Sequence, residues 1–226
     1  MPTNDTKEGG TVLMFSGGRD STLAALRLAA IRRKITLVTV SSDHLLGVAN
    51  VKRRLAELEQ HLPAGTVWKR IQQPRSEATF GAAFSRTCLP CQHDYALAGA
   101  VIARELGLNR LAMGYASYQG DWPEQTPLAT TELSSVLAEF GIELVLPVYD
   151  LDSKKEAIAG LEQHGLSSQS LEQKCIKQVL NIALNDDDLK VHVAHWIKTL
   201  RESLLSTNIS VNILEEERVG CLEPLR

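Results

Sequence analysis

Residues Phe15-Ser16-Gly17-Gly18-Arg19-Asp20-Ser21-Thr22 carry the most legible chemistry in this chain. Two adjacent glycines let the backbone approach a ligand closely and reach dihedrals that other residues avoid. Ser16, Ser21 and Thr22 add hydroxyl donors. A short apolar run, Thr11-Val12-Leu13-Met14, stands directly before them, and a helical pattern, Leu23-Ala24-Ala25-Leu26-Arg27-Leu28, directly after. A strand, a small polar turn and a helix start together make an anion site. The first-turn N–H groups lack helical partners, and the helix dipole places roughly half a positive charge there. The expected ligand is a phosphate group. Neither G-x-x-x-x-G-K-[ST] nor G-x-G-x-x-G is matched, so the loop is neither a kinase-type P-loop nor the dinucleotide fingerprint.

The cysteines are the second chemical feature. The spacing of Cys88 and Cys91 lets both sulfurs converge on one metal, and Pro90 stiffens the turn between them. A redox pair has the same spacing. Adding Cys175 and Cys221 gives four thiolates, enough for tetrahedral zinc, whereas three with an outside ligand suit an iron–sulfur cluster. The plain alternative is that Cys175 and Cys221 are small buried hydrophobes. His93 reads as a polar residue at a helix start. Asp186-Asp187-Asp188 reads as helix-start carboxylates rather than a magnesium cluster.

Alternating elements must position these groups. Residues 35–40 read as a buried parallel strand ending in Ser41-Ser42-Asp43-His44, and 48–61 as a helix with leucines at 55, 58 and 62 on one face. The next strand is 66–71, followed by a polar loop over 72–86 that leads to the cysteine pair. An alanine-rich helix over 95–106, a strand over 110–114, a long aromatic loop over 115–127, a helix over 131–140 and a strand over 143–148 continue the alternation. The expected fold is therefore α/β, a doubly wound parallel five-stranded sheet of Rossmann type, with ligands at the carboxyl ends of its strands. Three further helices are expected over 154–165, 171–184 and 188–205, then a short strand-like stretch over 209–214 and an acidic run. The organisation this implies is a flexible tail over 1–10, a nucleotide-binding α/β domain over 11–152 and a helical C-terminal portion over 153–226 packed on it.

Composition narrows the class. A chain of 226 residues, 44% hydrophobic, is long enough for one substantial core. No apolar run approaches a membrane span and the first ten residues are polar, so no membrane partner and a cytoplasmic address are expected. There, four cysteines are more readily ligands or reactive thiols than disulfides. The net charge of −3 disfavours docking of a large nucleic acid without excluding it, since such proteins usually carry a basic surplus.

The Ser16-Gly17-Gly18-Arg19-Asp20-Ser21 pattern, S-G-G-x-D-S, resembles the pyrophosphate loop of the N-type ATP pyrophosphatases, the PP-loop superfamily. The resemblance runs over about 11–175. It implies cleavage of ATP between its α and β phosphates and transfer of AMP to a substrate oxygen. Phe15, Ser16, Gly17, Gly18, Asp20, Ser21, Thr22, Val40 and Gly114 are then the nucleotide contacts, with Met113-Gly114-Tyr115 at the family's glycine after its fourth strand. Asp20 is a candidate for Mg2+. Within the superfamily, Trp122-Pro123-Glu124-Gln125-Thr126-Pro127 and the segment ending in Ser153-Lys154 resemble the 7-cyano-7-deazaguanine synthases of queuosine biosynthesis, which places Lys154 near the phosphates. Catalysis is then expected from Ser16, Asp20 and Lys154. Tyr118, Trp122 and Glu124 are the expected grip on a purine-like 7-deazapurine substrate, by stacking and hydrogen bonding. That branch closes with three further clustered cysteines holding structural zinc, and this chain lacks them. Its upstream Cys-x-x-Cys with distant Cys175 instead resembles the tRNA thiolases of the superfamily, which use a [4Fe-4S] cluster or two cysteines for persulfide chemistry.

Three functions follow as expectations. The first is an adenylating ligase that displaces AMP with ammonia, with ATP, Mg2+ and Zn2+ as cofactors. The second is a sulfur transferase acting on a nucleobase, with tRNA as partner if it is a thiolase. The third, a non-catalytic ATP-binding module, sits poorly with an intact loop. A homodimer is a reasonable expectation for a compact enzyme.

Overall fold

The computed structural model describes residues 9–31, 34–74, 80, 86–177, 183–206 and 209–222. Most of the expected tail over 1–10 and of the polar loop over 72–86 lies outside the described residues, as does 178–182 of the helix expected over 171–184.

In chain order the elements are β1 (Thr11–Met14), α1 (Arg19–Ala30), β2 (Ile35–Ser41), β3 (Leu45–Leu46), α2 (Val48–Leu58), β4 (Val67–Gln72) and α3 (Leu89–Glu105). Then come β5 (Arg110–Met113), α4 (Pro127–Glu139), β6 (Glu143–Val145), α5 (Lys154–Gln163), β7 (Lys174–Cys175), α6 (Asp186–Leu205) and β8 (Ile213–Arg218). The main sheet has the order β6-β5-β1-β2-β4-β8. Its first five strands are parallel.

The central strand shows why the sheet is covered on both faces. Side chains alternate along a strand with a period of two. Val12 and Met14 of β1 join one core, with α3, α4 and α6; Leu13 and the following Phe15 join the other, with α1, α2 and α5. The result is a three-layer α/β/α fold. The chain winds outward from β1 through β2 to β4 on one side, then returns to β5 and β6 on the other. That reversal between β1 and β5 is the topological switch point, where a crevice opens at the carboxyl ends of the strands.

Three expectations need correction. The sheet has six strands, because β8 adds to β4 in antiparallel register. The acidic run forms this strand, rather than the more apolar residues before it. Glu216 pairs with Lys69 and Glu215 with Arg70 across the strands, and Lys52 of α2 pairs with Glu215 and Glu217, so charge complementarity stands where apolar alternation was expected. The helix expected from 171 does not form over 171–177. Lys174 and Cys175 pair with Leu46 and Leu45 instead, and the backbone on either side finds tertiary partners. Finally, α3 begins at Leu89, with Cys88 at its N-cap and Pro90 in its first turn. Proline is tolerated there because first-turn amides have no helical acceptor. The cysteine pair thus sits on a helix start, not in a loop.

Candidate active site

The phosphate loop is held from below by a chain of hydrogen bonds. The Phe15 amide donates to the Val38 carbonyl (2.7 Å), the Thr39 hydroxyl donates to the Phe15 carbonyl (2.7 Å), and the Trp68 indole N–H donates to Thr39 Oγ1 (2.9 Å). Trp68 and Thr39 are buried, so the start of the loop is tied to the floor of the sheet. The chain then turns at Gly17, where φ is +79°, a conformation costly for any residue with a Cβ. The Gly18 amide donates to Ser16 Oγ (3.1 Å), which lies 3.0 Å from Ser21 Oγ. The Thr22 hydroxyl donates to the Gly18 carbonyl (2.6 Å) and is buried beneath the loop. No side chain caps α1 at Gly18, leaving the dipole at its start to a ligand.

Gly114, after β5, supplies the close approach that completes the crevice. A methyl at this position would lie 2.7 Å from both the nitrogen and the Cα of Ser21. Only glycine lets the end of β5 pack directly on the first turn of α1.

A cavity of about 460 Å³ opens over these elements. Phe15, Ser16, Gly18, Asp20, Ser21, Val40, Gly114 and Lys154 all line it, as do Tyr118 and Trp122. Contiguous loop residues, the Ser-Lys start of α5 and the aromatic loop therefore face one space. Ser153 caps α5 by accepting from the Glu156 amide, which fixes where Lys154 leaves the helix. Gly17 and Thr22, the other nominated loop residues, do not line the cavity, and Tyr118 has a second contact. The Tyr118 hydroxyl donates to both carboxylate oxygens of Asp20 (2.8 and 2.9 Å), and the Gln119 amide donates to Asp20 Oδ2. Tyr118 therefore orients the loop carboxylate as well as lining the cavity. Glu124 does not line it. Its side chain is 1% exposed, and Oε2 finds no hydrogen-bond partner among the described residues.

Electrostatics follow from this burial. Desolvation raises the Asp20 pKa, assisted by the nearby charge of Glu172 and opposed by Tyr118, Arg19 and Gln119. A desolvated carboxylate beside a phosphate cradle has the donor chemistry that a hard divalent cation takes. Burial pushes Glu124 from the ordinary carboxylate range to about 7.

The thiols divide. Cys88 and Cys91 lie within electrostatic reach of each other and of Cys175, and the Cys91 sulfur is 3.7 Å from His44 Nε2. His44 follows β2, whose end lines the cavity, and its partner Ile176 lies beside Cys175. Burial pushes the Cys88 thiol up to about 12 and raises Cys91 as well. Cys221 lies elsewhere: it is exposed, its thiol meets the Glu59 carbonyl, and it follows β8 past the amino end of β4. The expected four-thiolate zinc set is not assembled. Among the described residues no three His, Cys, Asp or Glu side chains come close enough to share one metal ion. The physical reason is topological, because antiparallel β8 carries Cys221 away from the crevice.

The chain matches no protein-family model and no curated protein. Among solved structures it is similar to a 4-thiouridine synthetase in complex with RNA and ATP: TM-score 0.52, 18% identity, 92% of this chain and 55% of that one. It is also similar to the U34-tRNA thiolase NcsA of Methanococcus maripaludis, with its [4Fe-4S] cluster: TM-score 0.51, 13% identity, 86% of this chain and 70% of that one. A third is NMN synthetase of Francisella tularensis: TM-score 0.50, 11% identity, 87% and 84%. The chain shares the fold of these three structures. It spans about half the length of the 4-thiouridine synthetase it matches.

Within this fold, several cavity residues escaped the sequence reading. Gln92 and Tyr95 come from α3, and Gln119 and Gln125 from the aromatic loop. Ser170 comes from the connection after α5, and Glu172 and Gln173 from a stretch expected to be helical. The Gln92 and Gln125 side chains are not free amides, since Tyr115 donates to Gln92 Oε1 (2.8 Å) and the Ala116 amide to Gln125 Oε1 (3.0 Å). Proximity in sequence to the Cys-x-x-Cys and Trp-Pro-Glu-Gln motifs was the one signal that marked Gln92 and Gln125. No helix among the described residues is long and apolar enough to cross a membrane.

Proposed function

We propose that this chain binds ATP along the cavity and transfers AMP to an oxygen of a small purine-like substrate. One observation carries this: a glycine turn delivers the uncapped start of α1 into a cavity at the switch point, beside Lys154. The phosphates lie on 16–22, where amides, hydroxyls and the dipole favour negative charge. Asp20, held by Tyr118 and Gln119, is the residue that would hold Mg2+, which supplies neutralisation of the phosphate charge when bound. A carbonyl or carboxylate oxygen of the substrate attacks the α-phosphorus. The bond from that phosphorus to its bridging oxygen breaks, and pyrophosphate leaves. Lys154 offsets the charge growing on the leaving group. Ammonia then adds to the activated carbon and AMP departs, forming a C–N bond as in the 7-cyano-7-deazaguanine synthases. Trp122 and Tyr118 supply the aromatic wall for the substrate.

Calorimetry with ATP and Mg2+, followed by a pyrophosphate-release assay with candidate 7-deazapurine acids, tests this proposal. Binding with no release in the absence of substrate, and release in its presence, is the expected pattern. Absence of any heat with ATP overturns it.

A second reading has its own observation, the gathering of Cys88, Cys91 and Cys175 beside the cavity. Two thiols suffice for persulfide transfer: a terminal persulfide sulfur displaces AMP, and the second thiol then resolves the remaining linkage as a disulfide. The names of the thiolase neighbours favour this donor. Replacing Cys91 and Cys175 by serine separates the two readings. Turnover with ammonia survives in a ligase and is absent in a thiolase.

A further inference from the structure

Residues 167–173 cross the open side of the phosphate loop, and two arginines fasten them. Arg54, wholly buried, donates to the carbonyls of Ser167 (2.9 Å) and Gln169 (2.5 Å) and pairs with Glu57. Arg19, inside the S-G-G-x-D-S loop, donates from Nε to the Ser168 carbonyl (2.7 Å). Three consecutive carbonyls are thus gripped by guanidinium groups. Further along, the Leu171 backbone amide donates to the Gly17 carbonyl (3.2 Å), and the Gln173 side-chain Nε2 to the Val40 carbonyl (2.8 Å). The crossing places Glu172 over the loop. A methyl at Gly18 would lie 2.8 Å from Glu172 Oε2, and Ser170 donates to Oε1 (2.8 Å). Glu172 lines the cavity and its charge is felt by Asp20.

A carboxylate at the uncapped start of a helix stands where an anionic ligand stands. Glu172 is exposed, so solvent screens its charge, yet like charges a few ångströms apart still repel, and the carboxylate competes with a phosphate for that ground. We propose that 167–173 is a gating strap, latched by Arg19 and Arg54, whose Glu172 carboxylate occupies the phosphate ground and must be lifted by an incoming polyphosphate. Glu172 then sets selectivity: a single phosphate ion offers too little to displace it, whereas a nucleoside triphosphate brings further phosphates and also gains Lys154. This inference rests on the proposal that the loop binds phosphates, and deepens it.

Two measurements test the gate. In calorimetry, Glu172→Gln binds inorganic pyrophosphate about tenfold more tightly than the unaltered chain, since one like charge is removed from a partly screened site. In hydrogen exchange on the unaltered chain, the Leu171 amide exchanges faster once a non-hydrolysable ATP analogue with Mg2+ is bound, because its bond to Gly17 opens. Unchanged or weaker pyrophosphate binding by the variant overturns the gate, and weaker binding only with Mg2+ present assigns the carboxylate to the cation instead. Slower exchange at Leu171 also overturns it, by showing that the strap closes rather than lifts. If neither protein binds pyrophosphate or the nucleotide, the phosphate-loop proposal falls and takes the gate with it. If the unaltered chain binds and the variant gains nothing, the gate alone is lost.

Discussion

The two walls of the cavity are built in different ways. The phosphate wall is backbone: one stretch of chain, 14–22, with its amides, its glycine turn and a helix dipole, closed by the approach of Gly114. The opposite wall is side chains: Gln92 and Tyr95 from α3, Trp122 from the aromatic loop and Gln173 from the strap. A backbone site depends on local conformation and tolerates little change. A side-chain site depends on distant segments meeting, and single changes there alter selectivity before they alter the fold. In the function proposed above, the phosphate wall carries the reaction class and the far wall the identity of the substrate.

The sharpest way to break the contrast is Gly114→Ala. Its methyl meets backbone atoms of Ser21 that no rotamer change can move, so overpacking of about 1–3 kcal/mol is expected. Calorimetry should find ATP binding lost and thermal melting a lowered midpoint; intact binding would show that the backbone wall is less rigid than described. Next in size, Lys154→Ala should lower pyrophosphate release by about a hundredfold, the scale of one lost charge-stabilising donor. Steady-state assays should place the loss in kcat, and a loss confined to KM would make Lys154 a ground-state contact.

Glu124 sharpens the contrast from the other side, because it tests a buried side chain behind the far wall. Its pKa rises on folding from the ordinary carboxylate value to about 7, so the folded chain keeps the proton that the unfolded chain gives up. Stability is then fullest below the unfolded pKa and is lost as pH rises toward about 7, by on the order of 3 kcal/mol. Urea melts at pH 5 and pH 8 should show this loss in the unaltered chain and its removal in Glu124→Gln; parallel behaviour would mean that Glu124 is already ionised. The smallest effect belongs to Cys221→Ser. An exposed thiol at the amino end of β4 should change stability by no more than about 0.5 kcal/mol and leave turnover untouched. A large loss of activity would return Cys221 to the site.

How much was legible follows the same division. The strand–glycine turn–helix pattern was visible because each part depends on neighbours a few residues away, and the parallel alternation was visible because buried strands and helices differ in period. Tyr118 was named as a substrate contact, yet its hydroxyl is also the brace for Asp20, ninety-eight positions away in sequence. Residues 171–177 read as helical because Leu171, Glu172 and Gln173 suit a helix locally. Their backbone hydrogen bonds go instead to Gly17 and to β3, which no local pattern encodes. The acidic run near the C-terminus was not legible as a strand, because its partners Lys52, Lys69 and Arg70 lie far away in sequence.

By itself, then, the sequence determined the strand–glycine turn–helix loop, the doubly wound α/β alternation and the spacing of the cysteine pair. These are short-range properties of dihedral freedom, side-chain period and residue chemistry. Only the tertiary structure decided that Cys175 lies within electrostatic reach of Cys88 and Cys91 while Cys221 is carried away, that the last strand extends the sheet, and that a glutamate stands over the start of α1. Each of those outcomes depends on which distant segments satisfy one another's charges and backbone groups, and that pairing is settled only when the whole chain packs.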